Sequence, residues 1–439
     1  MSYPFGRAQL EQLQVTLVDP ATLVPDKRNA RTHPKAQIEQ IVRNVRQNGW
    51  TNPILVDERL KIIAGHGRLL AAKQLGLEAV PIIILRGLTE TQRRAVRIAD
   101  NKIALNAGWD LELLKLELAE IVLEDAEIEL GFEPGEIDHL LAAPVDPDEE
   151  AIPAVPEIAV SRQGEIWILG PHRFAVGDCS DRALMQKLMQ GETADAAFLD
   201  VPFNQPPQNI GNKGRIKHRP IAGAAGELSS EEFTAKLAQW LRSCAAVTRD
   251  GGVHFVCMDH QHAEEILAAG RQTYGARLNI CIWRKSNAGM GALYRSQHEM
   301  IFVYRVGSAP HFNAVQLGKH GRNRTNIWDA PSVNTFGGSR AQDLALHPTV
   351  KPAQLVADAI MDVTRRGEIV LDGFLGSGTT VIAAERTGRI CRGAEIDPLY
   401  ADVIVERFTT LTGIEAVLEE TGETFAQVRV RRAAEGGEG

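Results

Sequence analysis

Between residues 369 and 380 the chain reads Ile-Val-Leu-Asp-Gly-Phe-Leu-Gly-Ser-Gly-Thr-Thr, an order that few folds accommodate. A short apolar run bounded by turn residues predicts a buried strand, here ending at Asp372. Gly373, Gly376 and Gly378 then allow a sharp turn and the close approach of a ligand to the backbone. Thr379 opens a helix whose first N–H groups face that turn. About 20 residues on, a second apolar strand ends at Glu395, an acid placed to bind ribose hydroxyls. No Gly-Lys-Ser/Thr follows, so the turn is not a phosphate-binding P-loop. Val381 stands where a dinucleotide fingerprint has its third Gly. An acid ahead of the glycines suits a positively charged ligand such as S-adenosylmethionine.

The surrounding pattern extends this unit. Strands are predicted over 174–176, 196–199, 253–257, 278–283, 300–304, 369–371 and 391–395. Helices are predicted over 182–189, 230–247, 261–272, 353–364, 379–387 and 398–409. Such alternation predicts an α/β, doubly wound, mostly parallel sheet over 166–415. Residues 1–110 read as a smaller α+β domain, with short strands at 14–18, 54–56, 62–63 and 80–85. Its helical patterns lie at 37–48, 68–75 and 91–105. Residues 111–165 read as a helical segment that passes into an acidic, Pro-spotted linker. Residues 416–439 read as a C-terminal tail with a frayed end.

A second constellation, Ala196-Ala-Phe-Leu-Asp200-Val201-Pro202-Phe203, takes another strand out into an acid, a stiffened turn and an aromatic ring. Ligands of open α/β sheets bind at the carboxyl ends of strands. There an Asp accepts a hydrogen bond from an amino group, and a ring offers a stacking face for a base.

Segments 165–415 together resemble the DNA amino-methyltransferases that modify adenine N6 or cytosine N4. That family's catalytic motif, Asp/Asn/Ser-Pro-Pro-Tyr/Phe/Trp, corresponds to Asp200-Val201-Pro202-Phe203. Its cofactor motif, Asp-Pro-Phe-x-Gly-Ser-Gly-Thr-Thr, corresponds to the run from Asp372 to Thr380. His347-Pro348-Thr349-Val350-Lys351-Pro352 is similar to its His-Pro-Thr-x-Lys-Pro element. Gly177-Asp178 is similar to its Gly-Asp pair, whose acid lies near the cofactor adenine. The catalytic motif precedes the cofactor motif, the order of the β-type subclass. The resemblance implies a Rossmann-like, S-adenosylmethionine-dependent methyltransferase with Asp200, Val201, Pro202 and Phe203 as its catalytic motif. It implies cofactor binding by Asp372, Phe374, Gly376, Ser377, Gly378, Thr379, Glu395, Asp178 and Lys351, and no metal. Val201 and Gly373 each stand in place of a family Pro, so the chain departs from the pattern at both turns.

The N-terminal segment resembles the ParB/sulfiredoxin-like fold. Its strand at 54–56 is followed by Ile63-Ala64-Gly65-His66-Gly67-Arg68, where ParB-type domains carry Gly-Glu-Arg-Arg. Asp100-Asn101-Lys102 resembles their second polar motif. The resemblance implies a nucleotide at Gly65, Gly67 and Arg68. His66 and Leu69 replace the family's Glu and second Arg, so a non-hydrolysing docking or DNA-contact domain is an equal alternative. The pairing of domains resembles phage and prophage solitary DNA methyltransferases.

Charge and cysteine content bear on the partners. The formal net charge is −8, yet residues 124–150 hold eleven acids and no Lys or Arg; without them the chain carries +3. A polyanionic substrate is therefore not excluded. Two acid-free runs, 201–226 and 301–328, carry the cations Lys213, Arg215, Lys217, Arg219, Arg322 and Arg324, a composition suited to a phosphate backbone. The five cysteines show no Cys-x-x-Cys spacing, which speaks against zinc and disulfides and for a reducing compartment. No signal-peptide pattern and no apolar run of about 18 residues occurs. The expectation is a cytoplasmic, non-membrane enzyme acting on double-stranded DNA, with a homodimer left open. Because Asp opens the catalytic motif, adenine N6 is the expected target. An N4-cytosine methyltransferase and a ParB-like nucleotide switch with an inactive methyltransferase body are the alternatives.

Overall fold

The computed structural model describes residues 13–104, 106–125, 128–141, 152–205, 226–286, 288, 293–315, 324–330 and 351–436. The chain divides into two compact units, 1–133 and 134–439.

The first unit contains β1 (Val15–Val18), α1 (Lys35–Asn48), β2 (Ile54–Val56), β3 (Ile62–Ala64), α2 (His66–Leu75), β4 (Val80–Ile84), α3 (Glu90–Ala104) and α4 (Leu111–Glu124). Its sheet has the order β1-β4-β2-β3, with β2 and β4 parallel and the other two pairs antiparallel. Ile54, Val56, Ile62, Leu69, Ala72 and Ile82 form its core. Left-handed Gly65, with φ 101°, lets β3 turn directly into α2, a conformation that costs other residues steric strain.

The second unit starts with α5 (Pro134–Leu141), β5 (Ile166–Leu169), β6 (His172–Val176), α6 (Arg182–Met189), β7 (Ala194–Leu199), α7 (Ser230–Ala246) and β8 (Thr248–Met258). It continues through α8 (Ala263–Thr273), β9 (Ala276–Arg284), β10 (His298–Arg305), β11 (Ile327–Asp329) and α9 (Ala353–Val363). It ends with β12 (Ile369–Asp372), α10 (Thr379–Thr387), β13 (Ile390–Glu395), α11 (Pro398–Thr412), β14 (Val417–Leu418) and α12 (Phe425–Gly436). The ten strands run β11-β9-β10-β8-β7-β12-β13-β6-β5-β14. From β8 to β6 all neighbours are parallel; β10 runs against both β8 and β9.

Side chains alternate across each strand. Ala197 and Leu199 of β7 pack with Phe233, Leu237 and Leu241 of α7. Ala196 and Phe198 pack with Leu355, Val356 and Ile360 of α9. Both sheet faces are thus covered, which is why these strands read as continuous apolar runs. Helix α7 begins where Ser229 and Glu232 cap each other's backbone N–H groups, each satisfying a donor that helix geometry leaves unpaired. The β7–α7–β8 and β12–α10–β13 crossovers leave the sheet in opposite directions. A crevice therefore opens between β7 and β12 at their carboxyl ends, where ligands of such sheets bind.

Two boundaries differ from the sequence expectation. Helix α5 belongs with the second unit, because Asp138 forms two hydrogen bonds, 2.8 and 2.7 Å, with the fully buried Arg389 guanidinium. The acidic composition of 124–150 concealed this anchor. The expected frayed tail is instead built into the domain. Strand β14 pairs with β5, Phe425 of α12 sits edge-on to Trp167 at 5.3 Å, and Arg432 pairs with Glu165. Phe425 and Val428 supply the buried face that the charged composition masked. No helix among the described residues is long and apolar enough to cross a membrane.

Candidate active site

Four strands deliver acids to the same sheet edge: Asp178 just after β6, Asp200 after β7, Asp372 at the end of β12 and Glu395 at the end of β13. Their local settings differ.

Asp372 is 3% exposed. Its Oδ1 accepts from Phe374 N at 2.8 Å, and its Oδ2 accepts from Thr380 Oγ1 at 2.6 Å. The carboxylate ties the strand end to the first turn of α10 and so shapes the glycine turn from beneath. Burial pushes its pKa up to about 7. Glu395 closes the turn from the other side, accepting from Gly376 N at 2.7 Å and Asp397 N at 2.8 Å. Burial raises it to about 7 as well. Each carboxylate oxygen has two lone pairs, so Glu395 retains capacity for hydroxyl donors. Gly376 and Gly378 are left-handed, with φ 52° and 82°. A Cβ on Gly376 would meet nothing within 4 Å, so the backbone there faces open space, as a cradle for a ligand must. Ser377 and Thr379 lie mostly buried against Arg407, which bonds both side chains and Ser377 O. Asp178 orders its own loop by accepting from Ser180 N at 2.7 Å. These residues fit S-adenosylmethionine: a glycine cradle, helix N–H groups, and an acid for ribose.

Gly373, where the family has Pro, has a local reason. A Cβ there would lie 3.0 Å from Cys179 Sγ and 3.1 Å from Cys244 Sγ. The two thiols are buried beneath the turn, where their mutual hydrogen bond and then burial hold the Cys179 pKa well above the usual range.

Asp200 is arranged otherwise. Its side chain is 25% exposed, and Oδ2 accepts from Lys351 Nζ at 2.6 Å. Oδ1 has no hydrogen-bond partner among the described residues. Burial raises the Asp200 pKa, and the Lys351 charge opposes that rise without cancelling it. The Lys351 ammonium is also 3.1 Å from Glu299 Oε2 and 5.5 Å from the Phe203 ring centroid. Lys285 holds Glu299 Oε1 at 2.5 Å. Val201 is fully buried against α7 and β8 residues. Pro202 leads to Phe203, half-buried at the rim. Asn204, at a left-handed φ of 49°, staples the turn by bonding Leu228 O and accepting from Gly226 N and Leu228 N.

The motif therefore assembles, with one change of place. Lys351, expected among the cofactor residues, pairs with Asp200 of the catalytic motif and with Glu299 of β10. Glu299 and Trp283, neither of them in the expected site, complete its surroundings together with Lys285. A trace existed: Glu299 is the lone acid of its strand, directly ahead of the apolar run Met300–Val303, and it pairs in register with Trp283.

Of the expected DNA contacts, Lys213, Arg215, Lys217, Arg219 and Arg322 lie outside the described residues. Arg324 is a correction. It bonds Asp358 and Asp362 of α9, each at 2.8 Å, and stacks 5.0 Å above Trp328. Its charge is taken up inside the fold because two acids one helical turn apart face it, a pairing no local pattern announces. In the first unit, Arg68 donates to Asn52 O and Pro53 O, and a Cβ on Gly67 would lie 3.1 Å from His33 and Ile41. There Gly65, Gly67 and Arg68 hold the α2 entry together.

A family model for DNA methylase matches residues 195–406, one for the ParB N-terminal domain matches 6–102, and one for the ParB-methyltransferase HTH domain matches 112–163. The last covers the stretch read from sequence as a helical segment and linker. The chain is 46% identical over 84 residues to the ParB-like nuclease domain-containing protein YnaK of Escherichia coli K12, spanning 19% of this chain and 97% of that one. It is 24% identical over 229 residues to the type II methyltransferase M2.MboI of Moraxella bovis, spanning 49% and 82%. The crystal structure of TTHA0409 from Thermus thermophilus, complexed with S-adenosyl-L-methionine, overlaps 58% of this chain and 96% of its own at 22% identity and a TM-score of 0.40. By its motifs and the family models it matches, the chain carries a DNA methylase domain of the N6/N4 type, whose cofactor is S-adenosylmethionine, together with ParB-type N-terminal and HTH domains.

Proposed function

We propose that the chain methylates the N6 amino group of adenine in double-stranded DNA. The observation that carries this reading is the Asp200 carboxylate: Lys351 fixes one oxygen, the other has no partner among the described residues, and the same lysine lies over the Phe203 ring.

The amino lone pair of adenine is delocalised into the ring and is a weak nucleophile. A base turned out of the duplex presents two amino hydrogens. Asp200 Oδ1 accepts one and the Val201 carbonyl accepts the other, drawing the lone pair out of conjugation and fixing its direction. Phe203 stacks on the base and limits its tilt. S-adenosylmethionine, when bound at the glycine turn, supplies a methyl group made electrophilic by its sulfonium. Because β7 and β12 are adjacent, the acceptors at one strand end and the donor's cradle at the next meet across the crevice, which is the orientation effect a transfer reaction needs. After transfer, the nitrogen releases one proton. Asp200, its pKa raised by burial, is the nearest group to take it and pass it to water.

Mass spectrometry of nucleosides from duplex DNA incubated with the protein and S-adenosylmethionine tests this. N6-methyladenine is expected. N4-methylcytosine as the product would overturn the base assignment, and no methylated base would overturn the activity.

A further inference from the structure

Lys351 lies between two carboxylates, 2.6 Å from Asp200 Oδ2 and 3.1 Å from Glu299 Oε2, and Lys285 holds the other Glu299 oxygen at 2.5 Å. All four charges alternate in sign along one line from the hairpin of β9 and β10 to the catalytic turn. Lys351 is 4% exposed and Glu299 11% exposed, so neither is a solvated surface charge. A buried ammonium with one partner would have freedom to swing; with two it has a fixed position. Rigidity matters here because the residue after Asp200 is Val201. A Pro at that position would lock its own φ, and Val leaves it unlocked. Trp283, 4.9 Å from Lys285 and 5.9 Å from Lys351, walls the line on one side.

We infer that Glu299, steadied by Lys285, is a positioning residue for methyl transfer: it anchors Lys351, which in turn holds the Asp200 carboxylate where the amino group must meet it. It replaces by ion pairing the stiffness that Pro would supply in the turn. This deepens the proposed reaction and rests on it. It holds whichever amino base is the target.

The arrangement also sets the acid–base behaviour of Asp200. The groups facing Asp200 are Lys351, Glu299 and Lys285, with Asp372 and the Cys257 thiol nearby. Glu299 raises the Asp200 pKa through its charge. Ionised Asp200 is the stronger acceptor for the amino group and alone can take its proton, so transfer falls as pH falls through its pKa. Removing the Glu299 charge lowers that pKa, and the acid limb moves to lower pH.

The test is Glu299→Gln in the full-length protein, assayed by radiolabelled methyl transfer, which counts product on adenine or cytosine alike. A displacement of about 1 Å costs on the order of 100-fold, so a fall in kcat of roughly 10- to 100-fold is expected. S-adenosylmethionine affinity stays unchanged, and the acid limb shifts downward. In a Val201→Pro background the same substitution should cost several-fold less. Lys285→Met, at the outer end of the line, should give a smaller loss of the same kind. An unchanged kcat and pH profile would overturn the inference. So would a fall in kcat with an unmoved acid limb, or an equal loss in both backgrounds, since those mark a merely structural role. If no variant or parent transfers methyl to DNA, the proposed activity has failed rather than this inference. NMR titration of the Asp200 carboxyl in parent and Glu299→Gln then reads the same shift without turnover, and an unmoved titration would overturn the inference.

Discussion

Asp200 and Asp372 end neighbouring parallel strands, and burial raises the pKa of both, yet the two turns use their acids in opposite ways. Asp372 gives both oxygens to its own turn, one to Phe374 N and one to Thr380 Oγ1. Asp200 gives one oxygen to a distant lysine, and the other has no hydrogen-bond partner among the described residues. A carboxylate whose lone pairs are engaged locally builds a loop. One held from outside, with an oxygen left over, does chemistry. The two departures from the family pattern divide the same way. Gly373 is accommodated by packing against Cys179 and Cys244, whereas Val201 is accommodated by charge.

The largest effect should come from the acid that acts. Asp200→Ala should lower methyl transfer by roughly 10²–10⁴-fold, the range for losing a positioned acid–base group, with S-adenosylmethionine affinity unchanged. A third buried acid extends the builder's side of the comparison. Asp138→Ala strands the Arg389 guanidinium, both groups being about 1% exposed or less, and should cost about 3–5 kcal/mol of stability in thermal unfolding. A truncation starting near Pro156 should suffer equally, while one starting at Pro134 should not.

Gly373→Ala sharpens the comparison at the cofactor turn. Overpacking against the two sulfurs should cost roughly 1–3 kcal/mol, and Cys244→Ala should recover much of it. A cost that Cys244→Ala leaves untouched would show that the sulfurs are not the reason for the glycine.

The smallest effect concerns pH. Glu395 titrates near 7, and its ionised form is the stronger acceptor for ribose hydroxyls. S-adenosylmethionine affinity should therefore fall as pH drops below about 7, by at most about tenfold per unit. The profile should be shallower in Glu395→Gln, where Asp372 alone still titrates in this range. Stability moves the other way. The folded state of Glu395 or Asp372 holds its proton from about pH 4 to about 7, where the unfolded chain has released it, so these groups favour folding less as pH rises through that window.

Much of this was legible in the residue order. Buried parallel strands are apolar runs that end in turn residues, so 369–372 and 390–395 announced themselves, as did helices 182–189 and 379–387. Asp200 and Asp372 could be singled out because each closes such a run. What each does could not, since a carboxylate's partners are set by residues far away in sequence: Lys351 is 151 positions from Asp200. Arg324 was read as an open cation for the same reason. The C-terminal helix escaped because its two anchors, Phe425 and Val428, are sparse among charges. Helix α5 escaped because Asp138 looked like one acid among many.

The contrast between the two turns is tested most directly by calorimetry and single-turnover methyl transfer on Asp200→Ala and Asp372→Ala side by side. Asp200→Ala should bind S-adenosylmethionine with the parent's affinity and transfer methyl roughly 10²–10⁴-fold more slowly. Asp372→Ala leaves the Phe374 N–H and Thr380 hydroxyl unpaired, a loss of about 1–3 kcal/mol. It should bind the cofactor more weakly, yet transfer methyl at near the parent rate once saturated. If both variants lose cofactor affinity alike, or if Asp372→Ala binds normally and cannot transfer, the division between an acid that builds and an acid that acts is wrong.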